Sequence, residues 1–168
     1  MQQLQKATIA MLDRVNDIYI RSREQLLEQE IFQWDESYPN KDYFESCIEE
    51  QDLFVWIQDD KVVGHVVLNE WQSEEWECIP WQGKHPLIIH SLMIDPIHEG
   101  KGLGSKMVKA CEEFARIQGY KSMRLDAFSG NRKAIYLYNK LGYEKRGSVF
   151  FDSKPKGHQE YICMEKEL

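Results

Sequence analysis

LIIHSLMIDPIHEGKGLGSKMVKACEEFARIQG, residues 87–119, reads as an apolar strand, a proline-containing turn, a glycine-rich loop and an amphipathic helix. Glycine carries no Cβ, so such a loop can bring several backbone N–H groups close to one ligand. The helix N-terminus adds unpaired donors and partial positive charge. The stretch therefore predicts a site for a phosphate-bearing ligand, built around three alternating glycines, Gly100, Gly102 and Gly104.

The helix of this stretch has one apolar face and one polar face. Gly119 is expected to cap its C-terminus. The apolar face is predicted to contain Leu103, Met107, Cys111, Phe114 and Ala115. The polar face is predicted to contain Lys106, Lys109, Glu112, Glu113 and Arg116.

Length and composition are those of one globular domain, predicted to span residues 1–168. The chain is 42% hydrophobic and 29% charged, with a net charge of -7. An acidic balance argues against a nucleic-acid partner, because phosphate backbones require basic surfaces. It fits a cationic partner better.

The cysteines and the N-terminus favour a reduced, cytoplasmic protein. No two of the four cysteines have the CxxC spacing, so neither a metal site nor a disulfide framework is expected. The N-terminus lacks the apolar core of a signal peptide, and no run approaches the ~20 apolar residues of a membrane span. We therefore expect a soluble protein without a membrane partner.

The N-terminal third predicts one short strand and two helices. The strand covers residues 4–7, and the first helix begins after Thr8 as N-cap and ends near Glu28. After a loop at residues 35–39, Asn40 is expected to cap the second helix. The helical spacing places Met11, Leu12, Val15, Ile18 and Tyr19 on the apolar face of the first helix, and Phe44, Cys47, Ile48 and Gln51 on that of the second.

The next segment predicts a β-hairpin. Its strands are residues 53–58 and 62–69, joined by a turn that lacks glycine, and Gly64 indicates a bulge. The long connection over residues 70–86 contains Trp71, Trp76 and Trp81. Two interpretations stay open: the tryptophans form a wall of the substrate site, or they fold back onto the core.

The C-terminal part adds a parallel crossover and a final hairpin. Residues 122–128 read as a strand, and strand–helix–strand at this length is a right-handed parallel crossover. Asn131 caps a fourth helix that ends at Gly142, and strands follow at 143–151 and 159–167. The order predicts an α+β fold with a mixed, mostly antiparallel sheet and about four helices.

Three kinds of phosphate site compete for the glycine loop. A Walker loop requires Gly-Lys-Ser/Thr, which is absent. A dinucleotide site requires GxGxxG and an acidic residue about 20 positions later, and Asp126 makes this worth considering. The spacing here is GxGxG, and too few residues follow Asp126 for a doubly wound sheet. The pyrophosphate of coenzyme A is the third candidate.

Two motifs resemble the GNAT superfamily of N-acetyltransferases. Ile94-Asp95-Pro96 followed by Glu99-Gly100-Lys101-Gly102-Leu103-Gly104 resembles its acyl-CoA loop, [Q/R]xxGx[G/A] after a strand ending in V/I-D-P. Asn131-x-x-Ala134-x-x-x-Tyr138-x-x-x-Gly142-Tyr143 resembles its second signature. Both motifs occur in order, and the resemblance covers residues 53–168. One departure is Glu99, which stands at the family's Gln/Arg position.

The resemblance implies a three-layer fold in which one central pair of parallel strands splays apart to hold acetyl-CoA. Through the backbone of this strand edge and the loop, it implies cofactor contacts at Leu92, Met93, Ile94, Glu99, Gly100, Lys101, Gly102, Leu103, Gly104 and Ser105. On the fourth helix it implies contacts at Asn131, Ala134 and Tyr138.

The resemblance also implies transfer of an acetyl group to an amine, with Tyr138 as the general acid for the leaving thiolate. Each motif residue keeps a structural interpretation as core, strand or helix cap. The base that accepts a proton is open between His90, Glu77, Asp126 and no dedicated residue.

The acceptor is expected to be a small cationic amine. Trp34, Trp71, Glu77 and Asp126 are the candidate substrate residues, since carboxylates beside aromatic rings suit a cation. The acidic residues Asp35, Glu36, Glu70, Glu74 and Glu75 lie in the same two loops. Two other functions stay open: a non-catalytic acyl-CoA-binding module and a protein N-acetyltransferase. A homodimer is possible by analogy with relatives.

Overall fold

The computed structural model describes residues 3–34 and 38–168. Within them the helices are α1 (Leu12–Glu28), α2 (Lys41–Glu49), α3 (Leu103–Ile117) and α4 (Arg132–Lys140). The strands are β1 (Gln3–Lys6), β2 (Leu53–Gln58), β3 (Lys61–Asn69), β4 (Pro86–Ile94), β5 (Ser122–Phe128), β6 (Glu144–Phe150) and β7 (Glu160–Glu167). Short 3-10 helices cover Ile9–Met11, Glu74–Cys78 and Pro96–His98.

The strands form one seven-stranded mixed sheet in the order β1-β2-β3-β4-β5-β7-β6. β4 and β5 are parallel, with Pro86 opposite Ser122 and Ile88 opposite Arg124. The pairs β1–β2, β2–β3, β5–β7 and β6–β7 are antiparallel. This confirms the predicted α+β class. The parallel register covers only the first three residues of each strand, which agrees with the expected splay.

Local predictions at several element ends are confirmed. Asn40 accepts a hydrogen bond from Tyr43 N–H at 2.9 Å and so caps α2. Gly119 follows α3 with φ 90°. The hairpin turn is made by Asp59 and Asp60, both left-handed (φ 49° and 60°), so two aspartates take the role that glycine often has. The bulge next to Gly64 is present, since the register of β2 against β3 shifts between Trp56 and Ile57.

Other local predictions are wrong. Thr8 makes no side-chain cap hydrogen bond and precedes a 3-10 turn, while α1 begins at Leu12. Gln51 is exposed, because it follows α2 with φ 62° and leaves the helical face. Of the expected acidic loop residues, Asp35 and Glu36 lie outside the described residues.

The chain divides into two compact units, each made of segments that lie close together in space. The first comprises Met1–Glu30, Trp34–Leu68 and His90–Cys111, and the second comprises Ile31–Gln33, Asn69–Ile89 and Glu112–Leu168. The single domain over 1–168 stays a prediction.

The first unit has helices on both faces of its strands. On one face α1 and α2 cover the alternate residues Leu53 and Val55 of β2 in a largely apolar core. His65 is also buried there, and its Nε2 lies 3.1 Å from Val15 O. On the other face α3 packs so closely that a Cβ at Gly64 would lie 2.8 Å from Met107 Sδ and 2.9 Å from Met93 O. The absence of a side chain at this position therefore allows α3 to approach the sheet.

The second unit has a core on one face of β5, β6 and β7. Phe128, Tyr161 and Val149 face each other across these strands, and Trp76 and Ile79 pack on them from the connection between β3 and β4. The tryptophan connection is therefore folded onto a sheet face at Trp76. This supports the core interpretation for that tryptophan.

Glu112 corrects the predicted polar face of α3, because its side chain is buried. Lys166 Nζ lies 2.7 Å from Glu112 Oε1, and Tyr143 Oη donates to Oε2 at 3.2 Å. A buried carboxylate needs such partners, since desolvation of an unpaired charge is costly. Helical periodicity could not reveal them, because Lys166 lies on β7, far away in sequence.

Candidate active site

The glycine loop between β4 and α3 has the backbone that only glycine adopts easily. Gly100 and Gly102 both have φ 75°. Apart from the glycine itself and its two chain neighbours, no heavy atom of the described residues lies within 4 Å of the position that a Cβ would take at either glycine. The loop ends at Leu103, where α3 begins, so the first N–H groups of a 15-residue helix follow directly. This is an open backbone cradle suited to a phosphate.

Asp95 fastens this loop to α1. Its carboxylate is fully buried and accepts hydrogen bonds from Arg14 Nη2 at 2.6 Å and from Ile97 N–H at 3.3 Å. Arg21 Nη1 lies 3.4 Å from the same group. Burial raises the pKa of Asp95, but the Arg14 hydrogen bond and the other donors outweigh it and hold the pKa below its ordinary value. Asp95, the aspartate of the strand–Asp–Pro motif, therefore holds the start of the loop against α1.

Glu99, the departure from the family pattern, is exposed at the entrance of the loop. Gln25 Nε2 of α1 donates to its Oε2 at 3.2 Å. The neutral amide of Gln25 therefore holds the carboxylate of Glu99. The loop backbone keeps the left-handed conformations of Gly100 and Gly102.

The C-terminal half of β4 alternates in burial. Met93 is buried in the core of the first unit, whereas Leu92 and Ile94 are half-buried. Ser91 has φ 52°, an irregularity in the middle of the strand. His90, the candidate base, is half-buried on this strand. Backbone irregularity in a strand is common beside functional sites.

The second motif is on α4. Asn131 accepts a hydrogen bond from Ala134 N–H at 3.2 Å as the helix cap, and its Nδ2 donates to Gln33 Oε1 at 2.9 Å. Tyr138 is only 7% exposed, and its ring packs edge-on against Tyr143 at 5.5 Å. The phenol that the resemblance assigns as a proton donor is therefore held in a defined position.

Asp126 lies on β5 opposite Cys163 and is half-buried. Trp76 Nε1 donates to its Oδ2 at 2.9 Å. Burial raises the pKa of Asp126 to about 6, against the opposing effects of the Trp76 hydrogen bond and of Lys154, and nearby Glu75 raises it further. Perturbed carboxyl groups of this kind are frequent at functional sites.

A buried ion cluster fastens the tryptophan connection beside Asp126. Glu165 accepts from Arg124 Nε and Arg146 Nε, both at 3.0 Å, and from Gln82 N–H at 2.9 Å. Burial raises the pKa of Glu165, but these donors outweigh it and lower the pKa overall. The Arg124 guanidinium also lies over the Trp81 ring at 4.7 Å.

The four candidate substrate residues have different surroundings in the structure. Trp34 is half-buried against Tyr19 in the core of the first unit, with ring centroids 6.3 Å apart. Trp71 is 64% exposed, and Glu77 is exposed. Asp126 accepts a hydrogen bond from Trp76, which was not among these four candidates. Of the loop residues, Lys101 is exposed, Leu103 is buried, and Gly104 and Ser105 are half-buried.

Sequence reasoning missed the partners that come from distant segments. Trp76, Glu165 and Gln33 each form hydrogen bonds with residues on other strands or loops. The alternation of Arg124, Asp126 and Phe128 on β5 signals that they share one face. It does not identify the β7 residues opposite them.

The chain belongs to the acetyltransferase (GNAT) family, whose model matches residues 13–143. Both motifs described above lie wholly within this match. Within the described residues, no helix combines the length and apolar character that crossing a membrane requires.

Three similar proteins extend this result. The L-methionine sulfoximine/L-methionine sulfone acetyltransferase of Pseudomonas aeruginosa is 32% identical over 89 residues, which are 53% of this chain and 48% of that protein. This chain thus spans about half the length of that relative. A GNAT-family acetyltransferase from Streptococcus agalactiae has TM-score 0.83 at 19% identity, covering 99% of this chain and 95% of its own. The Salmonella typhimurium protein yncA, solved with its cofactor acetyl-CoA, has TM-score 0.73 at 20% identity, covering 99% and 94%.

Proposed function

We propose that this chain is an acetyl-CoA-dependent N-acetyltransferase that acts on a primary amine of a small cationic molecule. The observation that carries the proposal is the glycine loop, with Gly100 and Gly102 in left-handed conformations and an open approach to their backbone. The family match and the acetyl-CoA found in one structural neighbour support it. The relative that acts on methionine sulfoximine supports a small-molecule acceptor.

The residues present fit the cofactor. The loop Glu99–Gly104 and the first turn of α3 offer backbone N–H groups and a helix N-terminus to the pyrophosphate. The backbone of Leu92–Ile94 is proposed to hold the pantetheine arm, as in the family. On α4, Asn131, Ala134 and Tyr138 are proposed to complete the contacts. Acetyl-CoA would supply the acetyl thioester.

Tyr138 is proposed to hold the proton that the departing sulfur requires. A phenol is neutral at pH 7, so it can donate without prior protonation. Its burial and its packing against Tyr143 limit its freedom, and a fixed donor is more effective than a mobile one. The enzyme's remaining task is to orient the amine, which must be neutral to attack. His90 remains the proposed base on β4.

Replacement of Tyr138 by phenylalanine tests this assignment. Removing a general acid is expected to lower kcat by about 100-fold while leaving acetyl-CoA binding nearly intact. Tyr136→Phe is the matched control, since Tyr136 lies on the same helix and is 70% exposed. Full activity in Tyr138→Phe would refute the role of the phenol.

Calorimetry with coenzyme A and acetyl-CoA tests the cofactor assignment separately. We expect saturable binding that Gly102→Val weakens, since valine disfavours a positive φ at that position. Binding without turnover on any amine would favour a non-catalytic acyl-CoA-binding module. Lack of binding to any acyl-CoA would refute the proposed function.

A further inference from the structure

The chain that follows α1 is held against the C-terminal part of the second unit. The backbone oxygen of Gln33 accepts hydrogen bonds from Lys154 Nζ at 2.8 Å and from Tyr161 Oη at 3.4 Å. The ring of the preceding residue, Phe32, packs edge-on against His158, with ring centroids 4.8 Å apart. All five residues belong to the second unit. These contacts hold the backbone at Gln33 in one place.

The side chain of Gln33 extends this contact to the start of α4. Its Oε1 accepts a hydrogen bond from Asn131 Nδ2 at 2.9 Å, while Asn131 Oδ1 accepts one from Ala134 N–H at 3.2 Å. Both ends of the Asn131 amide are therefore bonded. The helix cap determines which end of the amide faces α4, and Gln33 determines the direction of the other end. All three residues belong to the second unit.

The Asn131 amide keeps hydrogen-bonding capacity for a ligand. An asparagine amide has two N–H donors and two acceptor lone pairs. In the described part of the chain, Gln33 and Ala134 use one of each. Asn131 is only half-buried, so a ligand can reach the remaining donor and acceptor. The orientation of the amide decides where these two groups point.

The other end of α4 is held independently of Gln33. Tyr143 N–H donates to the backbone oxygen of Tyr138 at 3.0 Å, and the two rings pack edge-on. Loss of the Gln33 side chain is therefore expected to release the Asn131 amide and to leave Tyr138 in place. Binding through Asn131 and proton donation by Tyr138 should respond differently.

We infer that Gln33 is a positioning residue, which orients the Asn131 amide for coenzyme A. This inference rests on the proposed function, in which Asn131 is a cofactor contact. It adds a residue that lies outside both sequence motifs. Gln33 acts through Asn131 and needs no contact with the cofactor itself.

Calorimetric titration with coenzyme A tests this role. Gln33→Met removes the acceptor at nearly constant side-chain length, and it is expected to raise the Kd about tenfold, as the loss of one hydrogen bond can do. Gln118→Met is the matched control, since Gln118 is exposed in the same unit, and its Kd should equal that of the wild-type protein. In steady-state kinetics, Gln33→Met should raise the KM for acetyl-CoA and keep kcat within about twofold, because Tyr138 stays in place.

A double-mutant cycle tests whether Gln33 acts through Asn131. Asn131→Ser keeps a side chain that can cap α4 but removes the amide donor that faces Gln33. In this background, Gln33→Met is expected to raise the Kd no further. A purely structural role of Gln33 would reduce the folded fraction, which lowers the binding stoichiometry and leaves the Kd unchanged.

The outcomes separate the two proposals. An unchanged Kd in Gln33→Met, or an equal rise in the Asn131→Ser background, would overturn the inference and leave the N-acetyltransferase function standing. Absence of coenzyme A binding by the wild-type protein would overturn both. If Gln33→Met fails to fold, Gln33→Ala decides in the same titration, since it removes the same acceptor without a large apolar side chain.

Discussion

Replacement of Asp126 by asparagine is expected to stabilise the protein at neutral pH. Burial raises the pKa of this carboxyl group from its ordinary value of 3.8 to about 6. Between these two pH values the folded state binds a proton that the unfolded state has lost, so the free energy of unfolding falls as the pH rises. Above the folded pKa the whole penalty is present, and below pH 3.8 it is absent.

The size of the effect follows from the pKa difference. At about 1.4 kcal/mol per pKa unit, the difference corresponds to about 3 kcal/mol. Asp126 is half-buried, so solvent reduces this value, and we expect about 1–2 kcal/mol. Asparagine is isosteric, and its amide oxygen can still accept the Trp76 hydrogen bond. The variant should therefore keep the packing while removing the charge.

Urea unfolding followed by circular dichroism measures this gain. The free energy of unfolding should be higher in Asp126→Asn than in the wild-type protein at about pH 8, and the difference should shrink towards zero at about pH 4. Asp152→Asn, at an exposed position, should show little difference at either pH. A variant that is less stable than wild type at about pH 8, or a difference independent of pH, would refute the reasoning.

Two further predictions concern the described contacts. Gly64→Ala should destabilise by about 1–3 kcal/mol, measured by urea unfolding, since its Cβ would lie 2.9 Å from the backbone oxygen of Met93; wild-type stability would show that the strand can shift. Glu112→Ala should cost about 3 kcal/mol in the same experiment, because it leaves Lys166 without its buried partner, whereas a cost below about 1 kcal/mol would mean that Lys166 reaches solvent.

Local signals in the sequence predict much of the fold. The residues 122–128 were expected as a strand and form β5 with the same bounds. Asn40 and Asn131 were expected as helix caps, and both accept the hydrogen bond that defines a cap. These features depend on neighbours within a few residues. Such neighbours are visible in the order of the amino acids.

The predictions that failed concern residues whose partners are distant in the sequence. Glu112 reads as polar by helical periodicity, but Lys166 and Tyr143 stabilise it in a buried position. Trp71, Trp76 and Trp81 read alike in the sequence, yet Trp76 bonds to Asp126 while Trp71 is exposed. Strand pairing and the path of the connection decide these outcomes. Neither is encoded in a local pattern.

In the candidate site, too, local features could be predicted and contacts between distant segments could not. The glycine spacing predicted the open loop, and both positive φ values at Gly100 and Gly102 agree with it. Glu99 departs from the family pattern, and only the structure reveals that Gln25 donates a hydrogen bond to its carboxylate. The hydrogen bond from Trp76 to Asp126 joins residues 50 positions apart, and no local pattern predicts it. For this reason the sequence specified the donor better than the acceptor.

Thiol release from acetyl-CoA in the presence of putrescine is the most direct measurement of the central claim. The wild-type protein should release one thiol for each molecule of monoacetylated putrescine, detected by mass spectrometry, and Tyr138→Phe should lower kcat by about 100-fold. Absence of amine-dependent thiol release, with putrescine and with every other amine, would contradict the account.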